Sequence, residues 1–454
     1  MFKFINEIET KYNVTSIKAC EEQVWPYIRL LIYPQKIIPQ TSQKKKVFQH
    51  VKMAFLNLRN FFYGFKNWFG SYDVIVFSDF SERIPLSDGM LWDKTTDYII
   101  EQIGEKNVLS VEQPLPFHAS IKRLPHKNIV SYSAIWYFQY LFLLIKRVIR
   151  VKPVIENSEL LTKINHEYKL NINFNKVIEN FNSNYLFLKY FFKLYKPSTI
   201  IVNCAYGKMA LIKAANDCGI TTIEVQHGTI GVKHPAYYSS LLLEDKFYPN
   251  YLFTFGKHDV SNLIPKVKLA GSFYLDWIYK NKPFHQELHN LKKNYDLSVG
   301  ITLQYTVENE LINFIIEAAT KCHSILFVFI PRLRDKTDFT KYNIPKNVIV
   351  WTKNNFYETI TNLDIHSTVY STCALEAPAL GVQNILINIK GMAKELYSDR
   401  LKSSITQYAD TVEEYIGALK SFEKQEPEQV ITENRHNIEP GYQINVQKIL
   451  KEIL

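Results

Sequence analysis

Four stretches of this sequence place reactive or charged side chains directly after runs with the character of buried strands. The first is Val225–Pro235, VQHGTIGVKHP. Gln226, His227 and Gly228 fall where a strand would give way to a loop, Gly228 and Gly231 allow backbone to approach a ligand, and Lys233 and His234 add charge. An imidazole in that place can bind a phosphate or exchange a proton near neutral pH. It could also do no more than satisfy loop carbonyls. The second is Phe329–Asp335, FIPRLRD, where Arg332 and Arg334 leave a strand. A guanidinium clamps a diphosphate or a sugar carboxylate through paired N–H groups, or forms a surface ion pair with Asp335 or Asp338. The third is Tyr370–Gly381, YSTCALEAPALG. Ser371 and Thr372 open a helix whose free N–H groups and dipole favour a phosphate, although Ser371 would equally serve as a plain N-cap. Glu376, on the same helix, could reach a ribose hydroxyl or merely complement the dipole. The fourth covers residues 79–94 and carries Asp79, Glu82, Arg83, Asp88 and Asp93. A carboxylate there could take a proton from a hydroxyl, or serve solubility alone.

The elements that must hold these side chains read as two successive series of strands and helices. In the first, Asp73–Ser78, Asn107–Val111, Thr199–Asn203, Thr221–Val225 and Tyr251–Phe255 are continuous apolar runs rich in β-branched residues. Parallel strands covered on both faces have that composition. Between Asn203 and Thr221, a helix opening near Gly207 and closed by Gly219 makes a β-α-β unit. The second series comprises Leu297–Leu303, Ser324–Ile330, Asn347–Trp351, His366–Tyr370 and Asn384–Ile389, with helices between them. Two such series in 454 residues predict an α/β protein of two Rossmann-like domains facing a cleft, with ligands at the C-terminal ends of the strands. The expected divisions are a basic helical segment over 1–70, a first domain over 71–260, a second over 261–435, and a helix over 436–454 that crosses back.

Composition narrows the partners. Apolar residues make up 46% and charged residues 22%, which is globular rather than disordered. The net charge of +10 suits an anionic partner. Zinc-finger spacing and aromatic RNA-binding signatures are both lacking, so nucleic acid is not expected. The five cysteines are widely spaced without a C-x-x-C, as in unpaired thiols of a reducing cytoplasm. The first residues show no signal-peptide core, and the longest apolar run, Ile135–Ile145, is about half of what a spanning helix needs. Residues 44–69 mix Lys and Arg with aromatic side chains, as a helix does when it lies on an anionic membrane face or packs on its own domain. Ile135–Lys152 offers the same choice. The expected location is therefore the cytoplasm, with peripheral attachment to the inner face of the cell membrane.

The tripeptide Gln226-His227-Gly228 after a strand resembles bacterial capsule and surface-polysaccharide synthesis proteins. The later pattern Ser371-Thr372, Glu376-Ala377, Leu380-Gly381 resembles the donor-binding helix of GT-B enzymes. That group includes Kdo and sialic acid transferases, CDP-glycerol glycerophosphotransferases and UDP-GlcNAc 2-epimerases. The resemblance spans residues 72–435 through short motifs. It implies the GT-B fold, a nucleotide-sugar donor used as co-substrate with no further cofactor, no bound metal, and a glycan or lipid-linked glycan acceptor. Gln226, Gly228, Arg332, Arg334, Ser371, Thr372 and Glu376 would contact the donor, and His227 would act in catalysis. Asp88-Gly89 is similar to the acidic base that precedes a glycine in bacterial CMP-sugar transferases. Those transferases hold CMP with a His-Pro pair as well as a Ser/Thr pair. Here Ile330-Pro331 stands in place of His-Pro, which counts against a CMP donor and leaves UDP, GDP or dTDP sugars open. Polyol-phosphate transfer from a CDP-linked donor and a non-catalytic glycan-binding scaffold are the alternatives. Epimerisation ranks lower, because its carboxylate cluster is not evident.

Overall fold

The computed structural model describes residues 2–35, 58–86, 89–149, 153–228, 230–232, 234–331 and 337–454. Two compact units divide the chain. One comprises Met1–Thr254, Asp259–Lys268 and Gln447–Leu454; the other comprises Phe255–His258 and Leu269–Val446.

The first unit begins with helices α1 (Phe2–Lys11) and α2 (Trp25–Gln35). Its sheet contains β1 (Val74–Asp79), β2 (Val108–Gln113), β3 (Ile129–Ser131), β4 (Thr199–Val202), β5 (Thr221–Val225), β6 (Tyr251–Thr254) and β7 (Lys266–Leu269), in the order β7-β6-β5-β4-β1-β2-β3. All neighbours from β6 to β3 run parallel. The residues Val74–Phe77 and Thr199–Val202 are buried throughout, which is why these segments read as unbroken apolar runs. Helices cover the sheet: α3 (Asp97–Ile103), α4 (Tyr132–Val148), α5 (Ser158–Glu167), α6 (Phe174–Tyr195) and α7 (Met209–Asp217). Asn173 caps α6 by accepting from the Lys176 N–H. Phe174, Ile178, Phe181, Tyr185, Leu188 and Phe192 recur at steps of three and four, and they form its buried stripe. Ile5, Ile8, Trp25 and Ile28 from the two N-terminal helices share one core with Phe77, Phe181 and Ile200.

The second unit opens with α8 (Phe273–Asn281) and α9 (Gln286–Lys292). Its strands are β8 (Leu297–Thr302), β9 (Ile325–Ile330), β10 (Val348–Val350), β11 (Ile365–Ser367), β12 (Gln383–Ile387) and β13 (Thr406–Ala409). They are parallel and ordered β10-β9-β8-β11-β12-β13. The helices are α10 (Glu308–Lys321), α11 (Phe356–Ile360), α12 (Cys373–Ala379), α13 (Met392–Tyr397), α14 (Val412–Lys420) and α15 (Pro427–Asn434), with the start of α16 (Tyr442–Ile453), whose residues from Gln447 on belong to the first unit. In each sheet the strand order reverses beside the first strand, between β1 and β4 and between β8 and β11. A ligand crevice opens at such a switch point, because the crossovers on its two sides leave to opposite faces.

Two sequence expectations differ in extent. The strand expected over His366–Tyr370 closes at Ser367, and Thr368 and Val369 then bond to strand-end groups of β8. Of the basic helix expected over 44–69, the part up to residue 57 lies outside the described residues. From there, residues 58–60 are helical, residues 61–64 turn, and Phe65–Phe69 forms a 3-10 turn. Gly64 makes that break: its φ is +64°, and a Cβ there would collide with the Ile129 carbonyl.

Candidate functional site

At the switch point of the first sheet, the chain leaves β1 through Asp79, β4 through Asn203 and β5 through Gln226. Lys208 follows a short turn after β4. Its ammonium lies 3.4 Å from Asp79 Oδ2 and 3.4 Å from Asn203 Oδ1. Gln226 is buried; its N–H donates to the Phe253 carbonyl at 3.0 Å and its Nε2 to the Gly228 carbonyl at 2.8 Å. The side chain thus stiffens the turn that presents His227. The His227 Nε2 is 3.5 Å from the Tyr206 hydroxyl, and its buried Nδ1 has no hydrogen bond of normal geometry. Burial first, then the charges of Lys208, His234 and Lys94, hold the imidazole down to about 4; the Asn203 backbone opposes this weakly. The ring is therefore neutral at pH 7, with a lone pair to offer.

Behind it, Glu224 on β5 is fully enclosed. It accepts from the Tyr237 hydroxyl at 2.8 Å and the Ala205 N–H at 3.1 Å, and burial pushes its carboxyl up to about 7. His234 packs at a tilt against Tyr206 and Tyr237, with ring centroids 5.5 and 5.1 Å away, and burial holds it down to about 4. The N-terminal helices secure this loop. Arg29 on α2 is completely buried, binds Glu9 Oε1 at 2.8 Å, and donates to the carbonyls of Pro235 and Tyr238. Breaking such a pair leaves an uncompensated buried charge, so the loop after His227 is fixed by residues about two hundred positions earlier.

A separate buried cluster lies on β2. Arg83 binds Glu112 and, at 3.0 Å, Asp97 Oδ2. His118 bridges Glu112 Oε1 and Ser131 Oγ at 2.8 Å each. Ser131 is fully buried and caps α4, so this serine–histidine–carboxylate array has no access to a substrate. It ties β2, β3 and the 79–97 loop together.

At the switch point of the second sheet, Gln304 staples two strand ends. Its Nε2 donates to the Thr302 carbonyl at 3.1 Å and to Thr368 Oγ1, while its Oε1 accepts from the Val369 N–H at 3.2 Å. His366 lies between Thr302 Oγ1 at 3.0 Å and Asn384 Oδ1 at 2.8 Å, held down to about 4 by burial. The turn after β11 then delivers Ser371 and Thr372 to the start of α12. The Ser371 Oγ accepts from the Cys373 N–H at 3.3 Å, and its carbonyl takes the Tyr397 hydroxyl at 2.7 Å. Thr372 is half-buried and makes no side-chain capping bond. Glu376, one turn on, accepts from the Tyr357 hydroxyl at 3.2 Å.

The structure thus brings Gln226, His227 and Gly228 together in the first unit, and Ser371, Thr372 and Glu376 in the second. Asp88, Lys233, Arg332 and Arg334 lie outside the described residues; Pro331, directly after β9, is the last described residue before Arg332. Sequence reasoning passed over Tyr206, Lys208, Glu224 and Gln304. A lysine six residues beyond a strand end was the visible signal for Lys208. Glu224 gave none, since it sits inside an apolar strand. Among the described residues, no group of three His, Cys, Asp or Glu side chains is placed to hold a metal.

Two parallel α/β domains, each with its strands reversing beside the first, make this a GT-B fold. Solved structures of that fold align with most of the chain. The UDP-GlcNAc 2-epimerase of Methanocaldococcus jannaschii is 13% identical, with a TM-score of 0.51, over 84% of this chain and 99% of the other. The glycotransferase of kitacinnamycin is 10% identical, with a TM-score of 0.51, over 84% of this chain and 100% of the other. The wall teichoic acid polymerase TagF aligns more distantly, at 13% identity over 90% of this chain and 96% of its own, with a TM-score of 0.44. No protein-family model and no curated protein sequence matches the chain.

Proposed function

We propose that this protein is a glycosyltransferase that moves a sugar from a nucleotide-sugar to a surface-polysaccharide acceptor, such as a capsule or O-antigen glycan, free or lipid-linked. The observation that carries this reading is the duplication of the switch-point site. Each unit has Rossmann strand order, and each gathers polar side chains at the reversal: Asp79, Lys208 and His227 in one, Gln304, Ser371 and Thr372 in the other. The GT-B fold supports it, as does the name of one structural neighbour, a glycotransferase.

In this reading, the domain over 261–435 holds the nucleotide and that over 71–260 the acceptor. Ser371, Thr372 and the first N–H groups of α12 face the diphosphate, Glu376 the ribose, and Arg332 and Arg334 the developing charge. Asp88 takes the proton from the acceptor hydroxyl. The oxygen then bonds to the anomeric carbon, the carbon–oxygen bond to phosphate breaks, and the nucleotide leaves with that electron pair. Neutral His227 contacts the donor phosphate or the acceptor as a hydrogen-bonding group, with Gln226 and Gly228 shaping its turn. Basic side chains and helix N–H groups take the place of a metal at the leaving group.

The test is a thermal-shift panel of UDP, GDP, dTDP, CMP and CDP conjugates, followed by acceptor-dependent nucleotide release. One nucleotide class should stabilise the chain, by about 2.7 kcal/mol at a hundredfold excess over Kd. The double change Ser371→Ala, Thr372→Ala should raise that Kd at least tenfold while the apo melting temperature holds. Unchanged binding in the double variant removes the donor assignment. Stabilisation by CDP-glycerol alone, with polyol-phosphate transfer, would replace glycosyl transfer.

A further inference from the structure

Helix α4 is built unlike the other helices of the first unit. Its sequence, YSAIWYFQYLFLLIKRV, is apolar over most of its length, yet its buried residues are only Ser133, Ala134, Ile135, Gln139 and Lys146. Phe138, Leu141, Leu144, Ile145 and Val148 are all exposed, at steps of three and four that place them on one face. Val148 is 81% exposed. An aqueous surface gains nothing from such a stripe, and a contiguous exposed apolar face of this kind marks an interaction site.

The face extends sideways on both flanks. On one side, Phe61 of the 58–69 segment meets Phe138 with ring centroids 5.9 Å apart and Tyr137 at 5.7 Å. Phe62 and Phe69 of that segment are 67% and 79% exposed. On the other side, Phe142 contacts Phe187 and Tyr190 of α6 at 6.1 and 6.4 Å. Tyr190 and Leu194, one turn apart, are again exposed. Three chain segments thus contribute to one apolar surface.

Charge selects the occupant. Residues 58–69 and 132–149 contain Arg59, Lys66, Lys146 and Arg147 but no Asp or Glu. Helix α6 adds Lys176, Lys189 and Lys193 and a single carboxylate, Glu179. That carboxylate is already engaged by Arg147, at 3.0 and 3.1 Å. Lys146 is buried and Lys189 lies 3.9 Å from Asp217 Oδ2, but Arg59, Lys66 and Lys193 are exposed. Aromatic and aliphatic groups that can enter the acyl boundary, with such cations on the same segments to meet lipid headgroups, match an anionic bilayer. A water-soluble protein partner would more often be met by charges of both signs. No described helix is long and apolar enough to cross a membrane, so the contact is with its surface.

We propose that the face formed by residues 58–69, α4 and the exposed side of α6 docks this protein on an anionic lipid surface. The inference is independent of the donor and of the reaction. Each cation near an anionic leaflet contributes on the order of fivefold in affinity, so Lys66 and Lys193 together contribute about twenty-five-fold.

The experiment is flotation of the full chain with vesicles of neutral phosphatidylcholine, and with vesicles in which about a third of the lipid is phosphatidylglycerol. The protein should float at least tenfold more strongly with the anionic vesicles, and lose part of that at high salt. Leu141→Glu with Val148→Glu should abolish flotation while the melting temperature stays put, because both side chains already face water. Lys66→Gln with Lys193→Gln should erase most of the preference for anionic over neutral vesicles. Analytical ultracentrifugation of the same variants separates a second occupant. The proposal falls if the wild-type chain fails to float with either vesicle. It falls as well if flotation survives the double glutamate change, or if the chain is a dimer that this change splits, since a second copy would then cover the face.

Discussion

Removing the His227 imidazole distinguishes a functional ring from one that only fills its loop. The structure shows how little the fold relies on it. Its Nε2 lies 3.5 Å from the Tyr206 hydroxyl, its Nδ1 is buried without a bond of normal geometry, and the Asn203 backbone is a weak further partner of the ring. A bond of that length contributes little, and an unsatisfied buried polar atom costs about 1–3 kcal/mol. His227→Ala therefore gives up some ring packing and weak polar contacts but also removes a poorly satisfied buried nitrogen. The two effects are similar in size and opposite in sign, leaving a net change of about 1 kcal/mol or less. For a unit of this size, that shifts the melting temperature by about 2–4 °C. Turnover should nevertheless fall by about a hundredfold or more, the range of positioned acid–base groups. Because burial, and then the charge of Lys208, keep the ring neutral down to about pH 4, its titration should leave no inflection in the wild-type rate between pH 5.5 and 8. The assays are calorimetry and acceptor-dependent nucleotide release on the same preparations. A variant that keeps most of its turnover, or one whose lost activity tracks a lost fold, would refute the reasoning.

Two further expectations concern stability. His366 is held down to about 4 in the folded second unit, against about 6.5 in an unfolded chain. Its contribution is therefore intact above pH 6.5 and drains away as pH falls towards 4, because the unfolded ring takes up a proton that the buried ring refuses. The slope approaches about 1.4 kcal/mol per pH unit, and His366→Gln should flatten it in urea unfolding at pH 7, 6 and 5; an unchanged slope would count against the buried neutral ring. Gly64→Ala must adopt a left-handed φ and push into the Ile129 carbonyl, so it should lose about 1–3 kcal/mol; an unaltered unfolding midpoint would mean that the 58–69 segment is not held as described.

Much of the architecture could be read along the chain because burial acts locally. A parallel strand covered on both faces needs apolar side chains at every position, and Val74–Phe77, Thr199–Val202 and Ile325–Ile330 announce themselves in that way. Gly219, with φ +72° at the end of α7, marks a helix stop by the same local reasoning. Gln226 and His227 follow β5 directly, and a strand end is a property of neighbouring residues; Ser371 and Thr372 instead precede α12, four residues or more past the end of β11.

What the tertiary structure alone decided concerns partners far apart in sequence. Nothing near Lys208 indicates that its ammonium meets Asp79, 129 residues earlier, or that Arg29 anchors the carbonyl of Pro235. Strand order is of this kind, since hydrogen bonding between β1 and β4 joins segments 120 residues apart that no local pattern couples. So is the neutrality of His227, which comes from the burial and charges assembled around it. Helix α4 shows the limit most plainly. An apolar stripe at helical spacing looks the same in sequence whether it faces a core or the outside. Only the packing of its other face, through Ala134, Ile135 and Gln139, leaves Phe138, Leu141 and Val148 turned to the surface.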